Sequence, residues 1–176
     1  MRYIALLRGI NVSGQRTIKM ADLRSMLEAL EFKNVKTYVQ SGNAAFDYEP
    51  ADTVKLADVI GDKIAETFGF PVKIIIRTAR ELEGIVKNNP FLKDTGIDTA
   101  KLHITFLSDD PEPDATASLE VKKEENERFL IVSREVYLYC PNGYGNTKLN
   151  NALFEKKLKT AATTRNWKTV NCLHEL

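Results

Sequence analysis

The order in which apolar periodicity changes along the chain constrains this fold more than any other feature. "RYIALLR" (2–8) reads as a buried strand, and Met20, Leu23, Leu27 and Leu30 then recur at helical spacing through "MADLRSMLEALEF". "VKTYVQ" and "AAFDY" follow as a strand pair around Ser41-Gly42-Asn43, a short turn whose glycine can take φ > 0. Leu56, Ile60, Ile64 and Phe68 mark a second amphipathic helix, which Gly69-Phe70-Pro71 stops before the strand "VKIIIR". Thr78-Ala-Arg-Glu81 is a capping box that opens a third helix. This is a βαββαβ order. Strand pairs joined by short turns, with helices between the pairs, favour antiparallel ferredoxin-like sheets over a doubly wound parallel sheet.

After the breaker "NNPF" (88–91) the order partly repeats. "KLHITFL" is followed by an acidic segment holding a weakly patterned helix between Pro111 and Glu120, then "RFLIV", "EVYLYC" and the helical "LNNALFEKKL". A last helix, capped by Thr163 or Thr164, carries Trp167, Val170 and Leu173 on one stripe. The expected architecture is therefore α+β, a duplicated ferredoxin-like sandwich with antiparallel sheets and additional C-terminal helices. Its units are 1–90 and 91–176.

A chain of 176 residues, 43% of them hydrophobic, can bury such a core. With 25 Lys plus Arg against 24 Asp plus Glu, no global field steers it to nucleic acid or a membrane. Charge is uneven locally: eight acids oppose two lysines from Asp109 to Glu127, and six basic residues oppose Glu155 from Lys148 to Lys168. Such blocks usually serve solubility; the alternative is an electropositive face near the C-terminus. Cys140 and Cys172 form no CxxC pair, and His103 and His174 are the only histidines. A zinc site, a Ser/His/Asp triad or a Cys/His dyad is thus unsupported, and neither metal nor cofactor is expected. His103, inside "KLHITFL", reads as a packed residue. No signal peptide and no stretch of about 20 apolar residues is found, so the expected setting is reduced and cytoplasmic, with no membrane partner.

Three polar loops stand out. In "RGINVSGQR" (8–16) Gly9 and Gly14 have P-loop spacing, but Gln15 and Arg16 stand where that motif needs Lys and then Ser or Thr. What survives is a weaker anion site, in which glycines permit concave backbone N–H groups beside Arg8, Arg16 and Lys19. The βαββαβ order puts this loop at the same end as the strand-pair turn, bringing Arg8, Asn11 and Gly14 towards Ser41, Gly42 and Asn43. The competing reading is that Asn11 and Asn43 only close turns and Arg8 meets an acid elsewhere. "CPNGYGNTKLNN" (140–151) offers Tyr144 and places Lys148 near a helix start, where the dipole favours an anion. In "TTRNWKT" (163–169), Arg165 and Asn166 are expected in a first helical turn, with Trp167 as a core anchor rather than a stacking platform.

These stretches resemble a bacterial family, domain of unknown function 1697. Its members begin with "LLRGINVGG", carry "SGN" in the hairpin and share "P-x-G-Y/F-G-x-S/T-K-L" and "T-x-R-N-W-x-T-V" near the C-terminus. They appear here as Leu6–Gly14, Ser41–Asn43, Pro141–Leu149 and Thr163–Val170, with Ser13 in place of the first glycine of the usual pair. The resemblance spans essentially the whole chain and implies a ferredoxin-like duplication. It implies no particular activity.

The leading functional expectation is binding of a nucleotide, another phosphate-bearing small molecule or single-stranded nucleic acid. Its candidate residues are Arg8, Asn11, Gly14, Arg16, Ser41, Gly42, Asn43, Tyr144, Lys148, Arg165 and Asn166. Base stacking on a sheet face is a narrower version resting on Tyr137 and Tyr139, because "NAAFDY" lacks the usual RNA-recognition pattern. A metal-independent enzyme using Lys148 or Tyr144 for proton transfer is one alternative. A module assembling through an exposed sheet face or edge is the other. No oligomeric state follows from the sequence.

Overall fold

β1 (Arg2–Leu7) has five buried residues out of six because it is an inner strand covered on both faces. It pairs antiparallel with β3 (Asn43–Asp47) on one side and β4 (Ile74–Thr78) on the other. β2 (Lys33–Thr37) completes a sheet of order β2-β3-β1-β4. Side chains alternate across a strand, so Tyr3, Ala5, Leu7, Phe46, Ile74 and Ile76 share one face. Onto it pack Leu23 and Leu27 of α1 (Met20–Ala29) and Leu56, Ile60 and Ile64 of α2 (Thr53–Phe68). The other face, with Ile4, Leu6, Ala45 and Ile75, is buried too. α2 starts on the Asp52 carboxylate, which accepts from the Val54 and Lys55 N–H groups, and stops at Gly69 in the left-handed region at φ 81°. The Thr78–Glu81 capping box opens α3 (Ala79–Lys87): the Thr78 N–H donates to Glu81 Oε2 at 2.7 Å and the Glu81 N–H to Thr78 Oγ1 at 3.2 Å.

The computed structural model describes residues 1–117, 119, 121 and 123–176. In the second half β5 (Leu102–Leu107) lies between β7 (Glu135–Tyr139) and β8 (Ala162–Asn166), with β6 (Arg128–Val132) outermost. The order β6-β7-β5-β8 reproduces the first sheet, so each half is an antiparallel ferredoxin-like unit. The weakly patterned helix expected between Pro111 and Glu120 is α4 (Pro113–Ala117), with Ser118 and Glu120 outside the described residues. α5 (Asn151–Leu158) packs Phe154 and Leu158 against Leu107, Val136, Leu138 and Ala162. The chain divides into one unit of residues 1–83 with 173–176 and another of residues 84–172.

One boundary departs from the sequence reading. The last helix, α6 (Trp167–His174), starts after Asn166 rather than at Thr163 or Thr164. β8 stays paired with β5 through His103 opposite Asn166, and its β-branched threonines suit a strand. The cap is Asn166, whose Oδ1 accepts the Thr169 N–H at 2.8 Å.

Candidate functional site

The β1–α1 loop is a small hairpin. Val12 and Gln15 bridge, the Gln15 N–H donates to the Val12 carbonyl at 2.9 Å, and Ser13 and Gly14 at the tip have φ of 51° and 74°. Two positive φ values in a two-residue turn are the type I′ signature. Buried Ile10 and Ile18 anchor the base, whereas Val12 to Thr17 are all exposed. Asn11, at φ 54°, closes the base: its Oδ1 accepts the Ile18 N–H at 2.9 Å, and its Nδ2 donates to the carbonyls of Ile18 at 3.0 Å and Gln40 at 2.7 Å. The last bond joins this loop to the β2–β3 connection, so the two do share one end of the unit. Arg16 has φ 47°, and its Nη1 lies 4.0 Å from where a Cβ on Gly9 would stand.

In the β2–β3 connection Gly42 has φ 79° and touches Ile10 and Leu7, and its carbonyl accepts the Leu7 N–H at 2.9 Å. Asn43 is fully buried, donating from Nδ2 to the Tyr38 carbonyl at 2.9 Å and Ser41 Oγ at 3.1 Å. Asn11 and Asn43 therefore spend their amides on closing turns. The charged groups of this loop are Arg8, Arg16 and Lys19, with no Asp or Glu from residue 8 to residue 19.

In the second unit Tyr144 and Arg165 are drawn inward, whereas Lys148 and Asn166 are exposed. Tyr144 stacks on His103 with centroids 4.9 Å apart and donates its hydroxyl to Thr164 Oγ1 at 2.9 Å. The Thr164 hydroxyl also meets Thr105 Oγ1 at 2.7 Å and donates to Asn151 Oδ1 at 2.6 Å. Lys148 is exposed and lies 3.5 Å from Glu124. Arg165 is not in a first helical turn. It sits in β8, 7% exposed, and donates to Thr163 Oγ1 at 2.8 Å and the Thr164 carbonyl at 3.0 Å. Burial lowers its pKa to about 10, which leaves it cationic at neutral pH. Asn166 serves as the α6 cap. On the same sheet face Tyr137 is 4% exposed and burial pushes its hydroxyl pKa up to about 12, so it offers no open base-stacking surface. Trp167 is half-buried at the start of α6.

Among the described residues no group of three His, Cys, Asp or Glu side chains is placed to hold a metal ion, and no helix is long and apolar enough to cross a membrane. The model of a protein family of unknown function, DUF1697, matches residues 1–137. The chain belongs to this family. The conserved bacterial protein SP0830 of Streptococcus pneumoniae has a similar fold, with a TM-score of 0.76 at 24% identity over 99% of this chain and 97% of that one. No curated protein matches.

The duplication in this DUF1697 chain reaches a residue that sequence reasoning passes over. Arg77 stands opposite Ile4 in β4–β1 as Arg165 stands opposite Ile104 in β8–β5. Arg77 is 1% exposed and donates to the Ile76 carbonyl at 3.0 Å, as Arg165 does to that of Thr164. Each arginine immediately precedes the residue that caps the next helix, Thr78 or Asn166. Aligning "IIIRTAREL" with "TTRNWKTV" on the arginine would have revealed the pair.

Proposed function

We propose that the β1–α1 loop binds a phosphate-bearing ligand, a nucleotide or a nucleic-acid segment, through Arg16 with Arg8, Lys19 and the backbone around Gly14. The observation that carries this reading is an excursion the fold does not need. Strand–helix connections in such units usually take about 2–6 residues, yet this one runs over residues 8–19 and projects Val12 to Thr17 without burying any of them. Asn11, Ser13 and Arg16 adopt left-handed backbone there, at a cost on the order of 1 kcal/mol each. Strain of this kind concentrates at functional sites, and a guanidinium matches the geometry of phosphate oxygens with two parallel donors.

The metal-independent enzyme has less support, since the Tyr144 hydroxyl is engaged as a hydrogen-bond donor to Thr164 Oγ1 and Lys148 lies 3.5 Å from Glu124. The test is a thermal melt against ATP, a sugar phosphate, a short single-stranded RNA and sulfate, repeated on Arg16→Ala. A ligand that binds only the folded protein adds about 2.7 kcal/mol of stability at a hundredfold excess over Kd. A rise in Tm with a phosphate ligand that Arg16→Ala abolishes supports the site. No shift with any of them, at millimolar concentration, overturns it.

A further inference from the structure

Among the described residues, Val39 is the one β-branched side chain with a positive φ, at 50°. That backbone crowds both Cβ branches, and an asparagine or a glycine would hold it at lower cost. The strain serves no packing, because Val39 is 45% exposed. The β1–α1 hairpin shows a second apolar side chain beside its tip, Val12, which is 61% exposed. A valine alone on a surface needs no explanation. These two stand on loops that are fastened to each other and to Arg16.

Successive contacts make that junction. The Arg16 guanidinium lies over Gly9, with Nη1 4.0 Å from where a Cβ would stand. Ile10, the next residue, packs on Gly42, where a Cβ would come 2.6 Å from its Cδ1. The Gly42 N–H donates to the Val39 carbonyl at 3.4 Å, closing the turn that Val39 opens. Asn11 Nδ2 donates to the Gln40 carbonyl at 2.7 Å, which ties the residue before Val12 to the residue after Val39. Gln40 and Gln15, the bridge partner of Val12, are both exposed.

We propose, resting on the phosphate reading above, that this junction binds a free mononucleotide, its phosphate on Arg16 and its base against Val39 and Val12. Stiff β-branched side chains cover a base at little cost in rotamer freedom. The amides of Gln15 and Gln40 carry a donor and an acceptor each, the pair of functions that a base edge presents. A sugar phosphate or an inorganic anion would leave both valines uncovered. A nucleic-acid strand fits less well: residues 12–17 and 39–41 include no aromatic ring, and Arg16 is the one charged side chain among them. Sites that track a strand combine a cationic groove with stacking rings.

The experiment is isothermal titration of the full chain with AMP, GMP, CMP and UMP, set against ribose 5-phosphate, which carries the sugar and phosphate without a base. At least one nucleotide should bind about tenfold tighter than ribose 5-phosphate, or better. Val39→Asn removes the methyl groups and suits a positive φ, so without ligand it should melt no lower than the parent. It should lose the advantage of the nucleotide and bind ribose 5-phosphate as before. Val12→Thr keeps the β-branched shape and should cut the advantage about threefold. Arg16→Ala should weaken nucleotide and sugar phosphate alike. Equal binding of ribose 5-phosphate and every nucleotide, or an advantage that survives either valine substitution, overturns the proposal and leaves the phosphate reading standing. No binding of any of them at millimolar concentration overturns both. A trinucleotide of RNA that binds about tenfold tighter than its mononucleotide also overturns it, since a strand would then be the occupant.

Discussion

A Cβ on Gly42 would stand 2.6 Å from Cδ1 of Ile10 and 2.9 Å from Cβ of Leu7, and its φ of 79° lies where L side chains are rarely found. Contact and conformation both demand glycine here, and both matter to the loop above, because Ile10 is one of its anchors. Gly42→Ala should cost about 2–3 kcal/mol from overpacking and backbone strain together, read as a shifted midpoint in urea unfolding; an unchanged midpoint would mean that Ile10 gives way. His103 is the other residue whose environment predicts a measurement. Its Nδ1 lies 3.2 Å from the Lys101 carbonyl and therefore carries the proton in the neutral ring, while Tyr144 covers one face. Burial holds its pKa below the ordinary 6.5, outweighing the Lys101 carbonyl bond that favours the cation. The unfolded chain thus takes up its proton first as pH falls, so stability present above pH 6.5 declines between that value and the lower folded pKa. His103→Gln should flatten that part of the stability–pH curve. A slope unchanged by the substitution would assign the decline to other groups.

At the scale of elements, α6 shows what local pattern can and cannot decide. The stripe of Val170 and Leu173 marks the helix correctly, and both residues are buried. Its start is ambiguous in the sequence because Thr163, Thr164 and Asn166 are all competent caps. Pairing with β5, far earlier in the chain, keeps the threonines in the strand, and no local signal encodes that choice. Arg165 is misplaced with them: an arginine beside a helix start reads as solvent-facing until the register with Ile104 turns it inward. Arg77 stays hidden at the end of "IIIR" for the same reason. By contrast, the order of the elements, the Thr78–Glu81 box and the glycine stop of α2 are legible, since each depends on residues within one or two turns. Asn11 and Asn43 can be read as turn closers or ligand donors, and only the positions of Gln40 and Tyr38 favour closure. The boundary itself is testable. Asn166→Ala should cost about 1 kcal/mol by leaving the Thr169 N–H unpaired, whereas Lys168→Ala, on the exposed side, should stay within about 0.5 kcal/mol. Equal effects in denaturant unfolding would mean that the cap lies elsewhere.

At the scale of the whole molecule, the duplication is closed by the chain returning to its first unit. Residues 173–176 group with 1–83; Leu173 is 1% exposed, and the Leu176 backbone oxygen accepts from Arg2 Nη2 at 2.8 Å and Lys36 Nζ at 3.2 Å. Arg2 reaches Asp47 as well, at 3.1 Å, so the start of β1, the end of β3 and the last residue meet around one guanidinium. The surface ion pair contributes little by itself, because such pairs are screened and usually yield below about 1 kcal/mol. The buried leucine contributes more. Leu173→Ala should cost about 2–4 kcal/mol, the transfer of its side chain plus the cavity left behind, and should lower Tm by about 2–4 °C for each kcal/mol. Arg2→Ala should cost less than half as much. If the two variants melt together well below the parent, the polar contacts around Arg2 anchor the returning segment; if neither lowers Tm, the first unit holds without it, and residues 1–83 should then fold as a separate fragment.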